Sequence, residues 1–350
     1  MPRPCVTVPL VARPGARFDC AGDGLCCTDI HGLGPLTTKE ARAVRRLDVA
    51  GAAYDDDFED LMLCTAADGG CHFLLEDQRC AIHANLGPEA KPSGCRQFPF
   101  IVTATPKGGR LSTHHRCPCR TMGRRPPLTA EAAMPSVMGA RGKPVTNFAV
   151  SEVRLRKGKT VSFEEWERIE APILARLRRG EISADFFGVA PFPKLKRGAT
   201  WRSVADSLVE SKDGTRFGAA AAWFGDTILH LVGGTRPRPP SRPWADAFDR
   251  AEKRGRASDP RSVYADWIAD ELWSLRWAEE LSFARFQVDV TTRFVIAEDI
   301  GRRLAASGLR PDRAAAEAVS IVEAVAESDH WSEVVELMKI DDASRAVAAE

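Results

Sequence analysis

The chain has 350 residues, of which 44% are hydrophobic and 28% are charged, the composition of a folded protein of one or two domains. Its formal net charge of +1 gives no general reason to expect binding to nucleic acid or to a membrane surface. The sequence has no apolar run of about 18 residues that would span a membrane and no signal-peptide segment, so we expect a cytoplasmic protein without a membrane partner.

The cysteines divide the chain into two parts. All ten lie in the first 119 residues, together with five of the seven histidines. Clustered cysteines in a reducing compartment indicate metal or redox chemistry rather than disulfide bonds. We therefore expect an α+β fold with three parts: an irregular cysteine-rich metal-cluster domain with a few short strands and helices (residues 1–120), a basic connector with short strands (121–160), and a mostly α-helical region (161–350) that can pack on the first domain.

Three short segments surround the first cysteines. Residues 4–12 are predicted to be extended, and a proline restricts them to the edge of a sheet. Thr37 and Glu40 have the spacing of a capping box and predict a helix that ends near Leu47. The acidic residues 54–60 follow no regular pattern and are predicted to form a solvated loop.

Three further segments carry the expected metal ligands. In the middle one, residues 71–96, aromatic, Gly, Pro and His residues lie between the cysteines instead of a helical apolar stripe, which is typical of a ligand loop. An earlier segment (18–27) and a later one (112–119) would fold back towards it. The candidate metal ligands are Cys20, Cys26, Cys27, Cys71, Cys80, Cys95, Cys117 and Cys119.

Several thiolates are stable near one another only when a cation neutralises their charge, and they are soft ligands for zinc or iron. A zinc ion and a [4Fe–4S] cluster each take four ligands, so ten cysteines exceed one site. Either two sites exist, or some cysteines are buried apolar residues or hydrogen-bond donors to the site. Cys5 and Cys64 stand alone and are expected to be packed residues or free thiols. His114 and His115 could bind the metal or donate to a sulfur, whereas His83 is expected to be structural.

A hairpin and a connector follow the middle ligand segment. Residues 97–105 are predicted to be a buried strand, and Gly108 and Gly109 turn it into a second strand at 110–113. Residues 120–144 are rich in Pro, Gly and Arg and read as a connector. Residues 120–160 hold nine Lys and Arg against two Asp and Glu, but they carry no nucleic-acid-binding motif, so a solvated connector is favoured over an RNA contact.

The second half of the chain is predicted to be helical. Ser162 and Glu165 form another capping box, after a strand pattern at 148–155, and open a helix that Pro172 should kink or split. The Trp and Phe stripes are expected to form a packed core rather than a ligand pocket. Residues 229–234 are expected to end a helix rather than to bind a nucleotide. Helical periodicity marks residues 201–208, 217–232, 264–275, 283–304 and a last stretch from 319.

The ordered motifs resemble a known family. Phe18-Asp19-Cys20, Gly24, Cys26-Cys27, Cys71-x-Phe73-Leu74, Cys80-x-Ile82-His83 and Cys95-Arg96-x-Phe98-Pro99 look like the YkgJ-type cysteine-cluster family, a zinc- or iron-chelating domain, over residues 18–120. The insert at 86–90 and Cys117-Pro118 are more similar to the flagellin lysine-N-methylase branch. The commonest family pattern has a cysteine where this chain has Asp23. Asp23 could be an oxygen ligand, or the methylase-like branch does not use this position.

Three functions are therefore expected. The first is a metal-binding protein with a cysteine-ligated iron–sulfur centre, [4Fe–4S], or a zinc centre, in a structural or redox role. The resemblance to the methylase branch implies a second, S-adenosylmethionine-dependent methylation of lysine in a protein substrate, with a structural cluster. The third is a non-enzymatic interaction protein with structural zinc. The chain lacks the P-loop, H-E-x-x-H and G-x-S-x-G motifs, and no catalytic residue is assigned.

Overall fold

The structure, a computed structural model, describes residues 9–20, 22–123, 125–139, 142–210, 213–235, 237–238, 240–254 and 256–340. Cys5 and the first half of the predicted extended segment lie outside these residues. The described chain mixes helices with a few short strands and has a helical C-terminal region, as expected. None of its helices has both the length and the apolar character that crossing a membrane requires.

The strands form one small sheet and two hairpins. The four-stranded sheet has the order β1-β5-β4-β6, with β4 antiparallel to β5 and both outer strands parallel to their neighbours. The two hairpins are β2-β3 and β7-β8. The bounds are β1 (Leu10–Ala12), β2 (Ala52–Asp55), β3 (Asp60–Leu63), β4 (Phe100–Thr105), β5 (Gly108–Thr113), β6 (Phe148–Ala149), β7 (Glu152–Arg156) and β8 (Lys159–Ser162).

Helices make up most of the remaining chain. In the cysteine-rich part they are short: α1 (Thr38–Leu47), α2 (Ala81–Leu86), α3 (Ser93–Gln97), α4 (Pro118–Thr121) and α5 (Ala130–Val137). In the second half they are longer: α6 (Phe163–Arg178), α7 (Trp201–Glu210), α8 (Arg216–Gly233), α9 (Ala245–Arg254), α10 (Pro260–Ser274), α11 (Phe283–Ala306), α12 (Pro311–Ala326) and α13 (Asp329–Leu337). Short 3₁₀ turns occur at Leu25–Cys27, Val49–Gly51, Pro88–Ala90 and Arg276–Glu279.

Several local predictions are confirmed. The capping box opens α1: Thr37 Oγ1 accepts from the Glu40 amide at 3.2 Å, and the Glu40 carboxylate accepts from the Thr37 amide at 2.9 Å. The predicted hairpin is formed by β4 and β5, although Gln97 lies in α3 and Gly108 and Gly109 belong to β5 instead of the turn. As predicted, β1 lies at the edge of the sheet. Residues 229–234 end α8, with Gly234 in the left-handed region at φ 63°.

Other local predictions need correction. Residues 54–60 are largely exposed as predicted, but they form the end of a hairpin of β2 and β3 instead of an irregular loop. The connector contains a helix, α5, which Thr129 caps. Helix α6 continues through Pro172 instead of splitting, since Pro172 is exposed and water can reach the carbonyl that loses its amide partner. Helices α9 and α13 were not predicted.

One large core joins the two ends of the chain. It contains the buried Trp and Phe side chains of the helical region, as the stripes predicted. It also contains Leu25 and Ile30, which flank the first cysteines, and Met122, which follows the last. Two smaller apolar clusters lie under the sheet and around α1. The cysteine-rich segments are thus held against the helical region rather than apart from it.

Candidate metal centre

Eight cysteines line one cavity of about 210 Å³, which we call the cysteine cavity. They come from three segments of the sequence and are the eight residues that the motifs selected as ligands. Cys64 is not among the lining residues, and Cys5 lies outside the described chain. The lining cysteines are Cys20, Cys26, Cys27, Cys71, Cys80, Cys95, Cys117 and Cys119.

A tight turn presents the first set of cysteines. Gly24 has a φ of 78°, which favours glycine, and a side chain here would overlap Gln78. The Cys27 amide donates to the Gly24 carbonyl at 2.9 Å and closes the 3₁₀ turn. The Cys26 and Cys27 sulfurs are then 4.0 Å apart.

The three cysteines of the middle segment lie in or next to short elements. The Cys71 amide donates to the Cys27 carbonyl at 2.8 Å, which fixes the two segments side by side. Cys80 immediately precedes α2, and Cys95 lies in α3. The side chain of Glu40 accepts from the Ser93 amide at 2.6 Å and so ties α3 to α1.

Helix α4 brings in the last two cysteines. Cys117 is its N-terminal cap and Cys119 lies within it, and both side chains are buried. The Cys119 thiol donates to Asp23 Oδ2 at 3.0 Å. Asp23 is fully buried and is also paired with Arg254. Asp23 therefore contacts one of the cysteines that line the cavity, Cys119.

Thiol contacts and burial shift several thiol pKa values. A hydrogen bond with Cys119 and burial raise the pKa of Cys20, and burial raises the pKa of Cys95 to about 12. The pKa of Cys26 moves the other way, since hydrogen bonds from Cys117 and Cys27 hold it well below the ordinary value. A metal that binds here must replace thiol protons, so binding is coupled to proton release.

The donor set fits a metal centre. No disulfide joins the described cysteines, and the cavity lining offers eight cysteine sulfurs and the imidazole of His83 as possible metal ligands. In a tetrahedral zinc site, Zn–S bonds of about 2.3 Å place the sulfurs about 3.8 Å apart. Among described residues, the one group of three or more possible ligand atoms within 4.8 Å of one another contains no cysteine. The sulfurs therefore surround a space instead of converging on a point.

The neighbouring histidines face elsewhere. His115 is buried, and its Nε2 lies 2.9 Å from Asp270 Oδ2. The ring of His114 stacks on Phe98 with centroids 5.6 Å apart, and its Nδ1 lies 3.1 Å from Glu327. Neither lines the cysteine cavity, whereas His83 does.

His114, Glu323 and Glu327 are the group of possible ligands within 4.8 Å. Their carboxylates are already paired with arginines, Glu323 with Arg276 and Glu327 with Arg276 and Arg116. Burial raises the pKa of Glu323, but the charge of Arg276 leads the effects that lower it to about 2. This group is part of an ion-pair network, because both of its carboxylates pair with arginine side chains.

A buried charge network supports the back of α4. Arg120 pairs with Asp266 and Asp270 of α10 and donates to Thr113 at 2.7 Å. Arg13 pairs with the same two carboxylates. This network could not be predicted from the sequence, because its arginines and carboxylates lie about 150 to 260 residues apart and form no local pattern.

A second cavity of about 570 Å³ lies on this side of α4. Its polar lining is dominated by guanidinium groups, and Asp259 and Asp266 are its two carboxylates. Two of the five arginines in the lining, Arg13 and Arg120, pair with Asp266. The other three arginines give the cavity wall an excess of positive charge. The lining arginines are Arg13, Arg17, Arg120, Arg125 and Arg178.

No protein-family model, curated protein or solved structure matches the chain. The likeness to the YkgJ-type family therefore rests on the order and spacing of the motifs. A function for the cysteine cavity has to be inferred from its donor atoms, its size and its surroundings.

Proposed function

We propose that the chain is a metalloprotein whose cysteine cavity holds an iron–sulfur centre in a structural or redox role. The observation that carries this proposal is the convergence of eight cysteines on one cavity from segments almost a hundred residues apart. Packing alone gives no reason for a cavity wall to be built so largely from thiols. Thiolates crowded in this way need a cation to neutralise their charge. A bound cation would therefore explain why so many cysteines line one cavity.

The size of the cavity favours a cluster over a single ion. A zinc ion bound by four thiolates leaves no free space between its ligands, whereas this cavity measures about 210 Å³. A single water molecule needs only about 10–15 Å³ of such volume, so the cavity is many times larger than one water molecule requires. A polynuclear group such as [4Fe–4S] makes use of both the space and the wide spacing of the sulfurs.

The other residues of the wall suit a bound, negatively charged cluster. Leu33, Leu63, Phe73 and Phe100 supply apolar surface that limits access of water. Lys91 also lines the cavity and brings a positive charge near the thiolates. When bound, the cluster would supply one-electron redox chemistry or a rigid link between the three segments.

Anaerobic reconstitution tests the choice of metal. The metal-free full chain is incubated with ferrous iron and sulfide, or with zinc, and the visible absorption and bound metal are measured after desalting. We expect a broad visible absorption and stable iron only in the first sample. Stable zinc without any uptake of iron and sulfide would overturn the iron–sulfur assignment and favour structural zinc.

A second candidate, an S-adenosylmethionine-dependent protein lysine methylase, would place its cofactor in the arginine-lined cavity. Its volume of about 570 Å³ lies within the range of about 300–1,000 Å³ of small-molecule sites. Guanidinium groups such as Arg125 and Arg178 suit the carboxylate of this cofactor. Calorimetry with S-adenosylmethionine and metal-loaded protein tests it, with Arg125→Ala as the cavity variant and Lys159→Ala, outside the cavity, as control. Absence of binding would remove this candidate.

A further inference from the structure

We infer that the arginine-lined cavity of about 570 Å³ binds a small phosphorylated ligand through Arg17, Arg125 and Arg178. The cavity lies against α4, and none of the described cysteines lines it. Its ligand would therefore be separate from the metal of the cysteine cavity. The inference goes beyond the proposed iron–sulfur function, which leaves this cavity without a ligand.

Segments from distant parts of the sequence bring the arginines together. Arg17 follows a turn after β1, in which the Ala16 amide donates to the Arg13 carbonyl at 3.0 Å. The Arg17 guanidinium donates to the carbonyl of Arg125 at 2.7 Å, so these two residues are held next to each other. Arg178 belongs to the last turn of α6. The tertiary fold thus gathers positive charge that no single segment carries.

Two of the lining arginines are neutralised within the protein. Arg13 and Arg120 are buried, and each pairs with both Asp266 and Asp270. Two guanidinium groups and two carboxylates form a network without net charge. These two arginines hold the wall of the cavity in place, and the charge available to a ligand has to come from the other three.

The other three arginines lack a carboxylate partner. Within the part of the chain that the structure describes, Arg17, Arg125 and Arg178 form no ion pair. The remaining carboxylate of the lining, Asp259, caps α10 and accepts from the Arg261 amide at 3.0 Å. One carboxylate cannot balance three guanidinium groups, so the cavity favours an anion.

A buried donor in this cavity also lacks an acceptor. The Nε atom of Arg125 is buried and has no hydrogen-bond partner among the described residues. A buried N–H group without an acceptor is unfavourable, and most such groups in folded proteins are paired. An anionic oxygen bound in the cavity would accept this hydrogen bond.

The shape and chemistry of the wall favour a small phosphorylated molecule. Guanidinium groups bind phosphate oxygens through paired N–H donors. The volume of about 570 Å³ is that of a small-molecule site. No aromatic side chain of the described residues lines the cavity, so it offers no surface on which the bases of a nucleic-acid strand could stack.

Calorimetry of the full chain with inorganic phosphate tests the inference. We expect the unaltered protein to bind phosphate, and Arg125→Ala and Arg178→Ala should each weaken binding about tenfold or more, because each removes a charged donor. Arg125→Lys keeps the charge but loses the forked donor, so its affinity should fall between the two. Arg179→Ala is the matched control, since Arg179 is an exposed neighbour that pairs with Glu181 and does not line the cavity.

Three results would overturn the inference. One is the absence of phosphate binding, or equal binding by the unaltered protein and all variants. Another is binding of a single-stranded oligonucleotide without binding of phosphate, which would indicate a nucleic-acid contact. The third is binding of S-adenosylmethionine without binding of phosphate, which would support the methylase candidate. The iron and sulfide content of the chain tests the iron–sulfur proposal separately, so the two can fail independently.

Discussion

At the scale of single residues, the burial of a cysteine does not indicate whether its side chain lines the cysteine cavity. Cys71, Cys117 and Cys119 are buried, while Cys20 is exposed, yet all four line the same cavity. Burial alone would have placed Cys20 with solvent-facing residues. The shared cavity wall is the feature that groups the eight cysteines.

Replacing Cys71, Cys80 or Cys95 by Ser should lower the metal content and the melting temperature of the loaded protein. The reason is that metal-binding free energy is also folding free energy when the unfolded chain has no preformed site. Cys64→Ser and Cys5→Ser serve as controls and should change neither quantity. Metal analysis and thermal unfolding measure both effects, and full metal with an unchanged melting temperature in all variants would show that these cysteines are not ligands.

The sequence was sufficient to predict the cysteines that line the cavity. It was not sufficient to predict the residues that hold these cysteines in place. Spacing and residue type selected the eight lining cysteines, because each short motif carries its ligand locally. The contact of Asp23 with Cys119 spans 96 residues and depends on the tertiary fold. The same holds for Arg120 and its carboxylates on α10.

At the scale of secondary-structure elements, α4 connects the cysteine cavity to the helical region. Cys117 and Cys119 lie on this helix, while Arg120 anchors it to Asp266 and Asp270. The anchor is buried, since Arg120 is 4% exposed and Asp270 is 2% exposed. This ion-pair network thus holds the helix that carries two of the cysteines proposed as ligands.

Arg120→Ala should destabilise the protein by about 3 kcal/mol, because Asp266 and the buried Asp270 then keep only Arg13 as an arginine partner. It should also lower the metal content, since α4 loses the contacts that place its cysteines. Arg178→Ala, an exposed residue of the neighbouring cavity, is the matched control and should have little effect. Denaturant unfolding and iron analysis report the two effects, and a stable Arg120 variant with normal iron would contradict this role.

Helix α1 gives a prediction about pH. Burial raises the pKa of Glu40, but hydrogen bonds from Thr37 and Ser93 outweigh this effect and lower it to about 2, from an ordinary value of 4.5. The ionised carboxylate is therefore favoured by folding. Its stabilising effect should be complete above pH 4.5 and should disappear as the pH falls towards 2.

Glu40→Ala should lower the free energy of unfolding at pH 7 by about 1 kcal/mol, the usual contribution of a helix cap. The difference from the unaltered protein should shrink as the pH falls below 4.5. Urea unfolding of the metal-free proteins at several pH values measures it, with Glu59→Ala, in the exposed hairpin turn, as control. A difference that stays constant down to the lowest pH would show that the carboxylate charge is not involved.

Elements with strong local signals were predictable, and those without them were not. The capping box at Thr37 and the hairpin of β4 and β5 each carry their signal within a few residues. The hairpin of β2 and β3 was not predicted, because its strands have only four residues each and surround an acidic turn. Helix α5 was hidden because the composition around it resembles that of a loop.

At the scale of the whole molecule, the cysteine-rich segments and the helical region stabilise each other. Leu25 and Ile30 belong to the large helical core. Arg216 of α8 pairs with Asp29 at 2.9 Å, and Arg250 of α9 donates to the Asp23 carbonyl at 2.9 Å. The surroundings of the first cysteines are thus built largely from the second half of the chain.

Removal of the metal should consequently lower the stability of the entire chain. We expect a single unfolding transition in calorimetry for the loaded protein, shifted to lower temperature as one transition after chelation. Circular dichroism at a helical wavelength should follow the same shift. Two transitions, of which only one responds to metal, would show that the N-terminal region unfolds by itself.

The most direct test of the central claim is the analysis of iron, acid-labile sulfide and zinc in protein purified without exposure to oxygen. The account predicts iron and sulfide in nearly equal amounts, with little zinc, in the unaltered full-length chain. Protein prepared in this way that contains no metal, or contains zinc without sulfide, would contradict the claim that the cysteine cavity holds an iron–sulfur centre.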